Sequence, residues 1–172
     1  MHTRRLLGGL AVALVLAAGP APATTMVEPM TLDEVTAEAK HVVHAVVTSV
    51  TSGRDENGVP STWTTFQVAE TLKGAHEASV TIKQYGVAEP LPDGTLTRLA
   101  GLPTYELGEE VVVFLRSASR RGFTSPVGLG QGAYRVKRKG GKSEVRNDDD
   151  QEGSQDLSTF VKKVKTRVQK QK

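Results

Sequence analysis

The sequence contains no cysteine among its 172 residues. Disulfides, thiolate metal ligands and thiol nucleophiles are excluded outright, and one apolar core has to supply the stability that a small exported domain often draws from cross-links. Histidine is scarce, at four residues. His-Glu-x-x-His, Gly-x-Ser-x-Gly and the Walker phosphate loop are all missing, so the familiar zinc hydrolase, serine hydrolase and nucleotidase signatures are absent. No apolar run reaches the roughly 20 residues that a membrane-spanning helix needs. A one-signed charge is missing too. The formal net charge is +3, and setting aside Arg4 and Arg5 leaves 20 basic residues against 19 acidic ones. That balance gives little reason to expect a nucleic-acid partner.

What is present at the start is a targeting pattern. Met1-His2-Thr3-Arg4-Arg5 is basic, residues 6–18 form a short apolar run, and Ala21-Pro22-Ala23 supplies small residues before a cleavage point near Ala23. Residues 1–23 are therefore expected to be a signal peptide. The mature chain is expected in the periplasm or outside the cell, with no lipid anchor and no integral membrane span. About 150 residues remain, the size of one domain.

The mature sequence reads as mainly β. Thr31 with Glu34 three residues on forms a capping box ahead of a short helix through residue 40. Residues 41–51 and 61–74 are rich in β-branched and aromatic side chains. The turn formers of 53–60 lie between them, predicting a long hairpin. In the first strand Val42, Val46 and Val50 share one face and Val43, Ala45 and Val47 the other, so it is expected to be covered on both sides. In the second, alternation places Thr64, Phe66, Val68 and Leu72 together, with Phe66 and Val68 as core residues.

A third strand follows at 78–85, with Val80 and Ile82 inward. Residues 86–108, with Pro90, Pro92 and Pro103, have no sustained period and read as a long excursion of a kind that often carries function. Val111-Val112-Val113-Phe114-Leu115 is the most apolar strand and is expected at the centre. A short strand at 123–126 and a hairpin turning at Lys139-Gly140-Gly141-Lys142 complete a domain over 24–146. Residues 147–156 read as an acidic linker. Residues 157–172 read as an amphipathic basic helix capped by Asp156, with Leu157, Phe160, Val161, Val164 and Val168 on one face.

Four features invite a sharper reading. His41 and His44 resemble a metal-ligand pair, but an odd separation in a strand directs them to opposite faces. Gly128-Leu129-Gly130-Gln131-Gly132-Ala133 resembles a dinucleotide fingerprint, but a strand follows where a helix should open. Asp148, Asp150, Glu152, Gly153 and Asp156 match part of a calcium loop, but Thr159 stands where a bidentate glutamate belongs. Lys162, Lys163, Lys165, Arg167, Lys170 and Lys172 form a basic helix face that is either solvated or turned to an anionic partner. No catalytic, metal or cofactor residue is assigned, and no cofactor is expected.

The order of helix, Val-rich strand, strand closing on Leu72-Lys73-Gly74, strand at 80–85, then Leu107-Gly108-Glu109-Glu110 and the apolar strand resembles a group of small exported bacterial proteins of unassigned function. More distantly it resembles the OB-fold domain of tissue inhibitors of metalloproteinases and related netrin-like modules. That resemblance implies a small OB-like antiparallel barrel. It carries no inhibitory residue, because the animal inhibitors chelate protease zinc through an N-terminal cysteine. The expected function is a non-enzymatic binding module for a protein or envelope polymer, with protease modulation as one form. The loops 53–60 and 86–108 are the expected contact surfaces. The alternative is an envelope-associated structural protein attached through its basic C-terminal helix.

Overall fold

The computed structural model describes residues 28–147 and 153–171. The expected signal peptide, residues 148–152 of the expected linker and Lys172 lie outside the described residues. Helix α1 (Leu32–Glu38) starts at the expected capping box. The Glu34 amide donates to Thr31 Oγ1 at 3.3 Å, and the Thr31 amide donates to Glu34 Oε2 at 2.7 Å. At its other end the Lys73 ammonium donates to the carbonyls of Thr36 and Ala37, at 2.6 and 3.1 Å, where cationic donors complement the helix dipole.

Strands β1 (His41–Arg54), β2 (Pro60–Lys73), β3 (Ser79–Tyr85), β4 (Glu110–Leu115), β5 (Ala133–Lys139), β6 (Lys142–Asn147) and β7 (Gln155–Asp156) form one sheet in the order β3-β2-β1-β4-β5-β6-β7. All ladders are antiparallel. The domain is mainly β, as expected. Gly140 and Gly141 both adopt positive φ, 58° and 76°, as the tight turn between β5 and β6 requires. Helix α2 (Leu157–Lys170) is capped by Asp156, whose Oδ1 accepts from the Thr159 amide at 2.8 Å.

The sheet separates two apolar clusters. On one side Val42, Leu72, Val112, Phe114, Tyr134 and Val145 meet α1 and the buried face of α2, Leu157, Phe160, Val161 and Val164. The rings of Tyr134 and Phe160 lie 4.6 Å apart, and Phe114 and Phe160 meet edge to face at 6.3 Å. On the other side Val43, Ala45, Val47, Phe66, Ile82, Val111, Val113 and Leu115 pack together, joined by Val50, Val68 and Val80 at the margin. Strands β1 and β4 are thus buried on both faces, as their sequences imply.

Several expectations change. Val50 leaves the face of Val42 and packs with Val43, Ala45 and Val47. The β1–β2 register shifts between Val47 and Ser49, whose partners Phe66 and Thr65 are consecutive, so that Thr48 is an extra residue. Leu72 leaves the face of Phe66 and joins the helix-side cluster. The β1–β2 register shifts between His44 and Ala45, where their partners Glu70 and Val68 skip Ala69, and one extra residue in a strand inverts the side-chain alternation beyond it. The expected OB-like barrel is not closed, because no ladder joins β3 to β7 among the described residues. Part of the β3 edge that could close it is already occupied. Thr124 donates its amide to the Lys83 carbonyl at 2.8 Å, beside an isolated bridge from Lys83 to Phe123. That bridge and one from Leu115 to Pro126 replace the short strand expected at 123–126. Within the expected linker, Asn147 ends β6 and is buried, while Gln155 and Asp156 pair with Val145 and Glu144.

Candidate functional site

The two loops expected to make contacts lie against each other at one end of the sheet. At the hairpin tip Asp55 organises the turn: its Oδ1 accepts from the amides of Asn57 and Val59, each at 2.9 Å. Its Oδ2 accepts from the Lys83 ammonium at 3.0 Å, and that ammonium also sits 4.4 Å above the Phe123 ring. The amide of Val59 foremost, then Lys83, hold the Asp55 carboxyl below its ordinary range despite burial. The tip is therefore fixed to β3 by a buried ion pair rather than left free.

Its neighbour Arg54 reaches the excursion. Arg54 Nε and Nη2 donate to Asp93 Oδ2 at 3.1 and 2.6 Å, and Nη2 also donates to Thr95 Oγ1 at 2.6 Å. Asp93 sits in a turn closed by the Gly94 amide on the Leu91 carbonyl at 2.8 Å. The Thr95 hydroxyl first, then Arg54, hold the Asp93 carboxyl far below the usual carboxylate range. The bonded tip and turn present one continuous surface, bordered by the half-exposed side chains Tyr85, Leu96 and Leu99.

The rest of the excursion folds back over the end of the second cluster. Gly86, at φ 94°, lets the chain leave β3 so closely that a Cβ there would stand 2.5 Å from the Thr97 carbonyl oxygen. The Val87 amide donates to that oxygen at 2.8 Å. Val87 is buried, and the buried ring of Tyr105 meets Phe66 edge to face at 5.1 Å.

Between the excursion and the sheet lies a cavity of about 100 Å³. Its lining includes Val50, Thr64, Gln84, Val87, Leu102 and Tyr105, with Tyr85, Arg98 and Leu99 toward solvent. Thr64 Oγ1 and Tyr105 Oη are buried and have no hydrogen-bond partner in the protein. Burial pushes the Tyr105 phenol well above its ordinary value, with Arg135 opposing, so it is a neutral donor at any physiological pH. Sequence alternation placed Thr64 beside Phe66 without marking its hydroxyl as unmet, and Tyr105 stood in a segment with no period at all.

The other motifs disperse. His44 lies on the helix side of β1, where Nε2 is 2.7 Å from Glu110 Oε1, and Arg138 grips the same carboxylate with Nε and Nη2 at 2.7 Å each. His41 points to the opposite face. Among the described residues no group of three or more His, Asp or Glu side chains is placed to hold a metal ion. Leu129–Gly132 is a single 3-10 turn leading into β5, and its Gln131 holds the N-terminal arm: Oε1 accepts from the Met30 amide at 2.6 Å, and Nε2 donates to the Glu28 carbonyl at 3.0 Å. Asp148, Asp150 and Glu152 lie outside the described residues, and Asp156 serves as the α2 cap. On α2, Lys165 pairs with Glu70 and Arg167 with Asp33. Among the described residues no helix is long and apolar enough to cross a membrane.

No family model matches the chain, and no curated protein matches its sequence.

Proposed function

We propose that the chain is an exported, non-enzymatic binding module that engages a protein through the surface shared by residues 53–60 and 86–108. The observation that carries this reading is the Arg54 fork onto Asp93 and Thr95. A long excursion held to a rigid hairpin tip keeps its contact groups ordered before a partner arrives, which lowers the entropy cost of association. Tyr85, Leu96 and Leu99 add apolar contact area beside the charged fork, the mixture found at protein interfaces. Protease modulation is one form such binding takes, and an extended envelope polymer is the other class of partner the surface would admit.

Attachment of an envelope-associated structural protein through α2 has less support. The apolar face of that helix is buried in the domain, and two of its cations are committed to Glu70 and Asp33.

The deciding experiment captures partners from the exported fraction on immobilised wild-type protein, a Leu96→Asp/Leu99→Asp variant and a Lys142→Asp control. Lys142 is exposed at the start of β6, outside both segments. Capture by wild type and control, with loss in the double variant, supports the proposal; equal capture by all three overturns it. Retention on anionic vesicles that disappears at high salt, and on removal of 157–172, would favour the helix instead.

A further inference from the structure

We propose that the cavity beneath the excursion is a binding site for a small neutral molecule with an apolar body of about phenyl size and one hydrogen-bonding group. Tyr85 and Leu99 border both the outward surface and the mouth of this cavity. The proposal rests on the buried hydroxyls and its probes report on those, so its failure and that of partner capture are distinguishable. Four observations converge. The cavity, at about 100 Å³, holds more than a single water and approaches the size of cavities that accept benzene. Its lining is dominated by apolar side chains, among them Val50, Val87 and Leu102.

Two hydroxyls, Thr64 Oγ1 and Tyr105 Oη, are nine-tenths or more buried on that lining and unmet by any protein group. A buried polar atom without a partner is costly, and a chain that keeps two of them on one cavity wall is built to meet something there. Finally, the lining carries no carboxylate. Its one cation, Arg98, is exposed and donates to the Ala88 carbonyl, so the interior offers no counter-charge to an ion. Water is the competing occupant, since the two hydroxyls supply the minimum of two polar partners that an ordered water needs. The apolar remainder of the wall is what favours an occupant with an apolar body.

Phenol and benzene are the matched probes, differing only in the hydroxyl. Titrated into the intact mature protein and followed by amide NMR, phenol is expected to give saturable shifts at Thr64, Gln84, Val87 and Tyr105. It is expected to bind about tenfold more tightly than benzene, the scale of one hydrogen bond to a buried group. Thr64→Val/Tyr105→Phe keeps the shape of the cavity and is expected to erase the difference while leaving the rest of the spectrum in place. Absence of saturable shifts, which would mean water only, overturns the proposal. So does equal affinity for the two probes in the wild type, a comparison that needs no variant to fold. Survival of the preference in the double variant overturns it as well.

Discussion

Arg54 and Asp93, 39 residues apart in the chain, meet through two guanidinium nitrogens on one carboxylate oxygen, at 3.1 and 2.6 Å. The contact joins the tip of one hairpin to the turn of an otherwise irregular segment, so its main effect falls on local order rather than on global stability. Exposed pairs of this kind add little to the folding free energy. Arg54→Ala is expected to leave the melting temperature almost unchanged while amide exchange accelerates over residues 88–99. Acid should not mimic it between pH 7 and 4. The Asp93 pKa is depressed, so the carboxylate keeps its charge as pH falls through the ordinary carboxylate range and is neutralised only in stronger acid.

Gly86→Ala tests how closely the excursion is stitched to the sheet. The new methyl would meet the Thr97 carbonyl at 2.5 Å, and the positive φ is itself unfavourable for alanine. A loss of roughly 1–3 kcal/mol is expected by chemical denaturation, with exchange at Val87 faster than at Val112.

Phe160→Ala probes the helix-side cluster. Phe160 is fully buried against Phe114 and Tyr134, and an aromatic-to-alanine change at such a site costs about 3–5 kcal/mol. The loss should appear in equilibrium unfolding, and a Lys162→Ala variant on the exposed face of the same helix should show none of it.

Glu110 accepts from Arg138 and lies beside His44, in a partly buried site on β4. Arg138 first, then His44, lower its pKa. A depressed carboxylate contributes stability that is complete above its unfolded value, about 4.3, and is lost as pH falls through the folded value. Wild-type stability is therefore expected to drop below pH 4, and Glu110→Gln should flatten that part of the curve. A parallel decline in both proteins would remove Glu110 from the account.

Local chemistry was legible wherever neighbours in the chain settle the outcome. The Thr31–Glu34 box, the Asp156 cap, the Gly140–Gly141 turn and the alternation of Val42 against Val43, Ala45 and Val47 in β1 all read correctly, because each depends on spacing within a few residues. Val50 did not, because the extra residue at Thr48 moves it to the other face. Leu72 did not, since no residue type announces a bulge at Ala69 and one skipped position reverses every assignment beyond it. Closure of the sheet was misjudged for a related reason: which segment occupies the edge at Lys83 is decided by a loop 40 residues downstream. The Arg54–Asp93 contact and the shared cavity of Thr64 and Tyr105 depend on how the excursion folds back, and a stretch with neither helical nor strand period gives no handle on that.

Along β4, Val111, Val113 and Leu115 enter one cluster while Val112 and Phe114 enter the other. The partition between the two apolar interiors thus includes a strand whose successive residues report to both. Neither interior can loosen by itself without dragging that strand out of register with the other, so denaturant should dissolve them at one midpoint, with aromatic signals from Tyr105 and Tyr134 fading together.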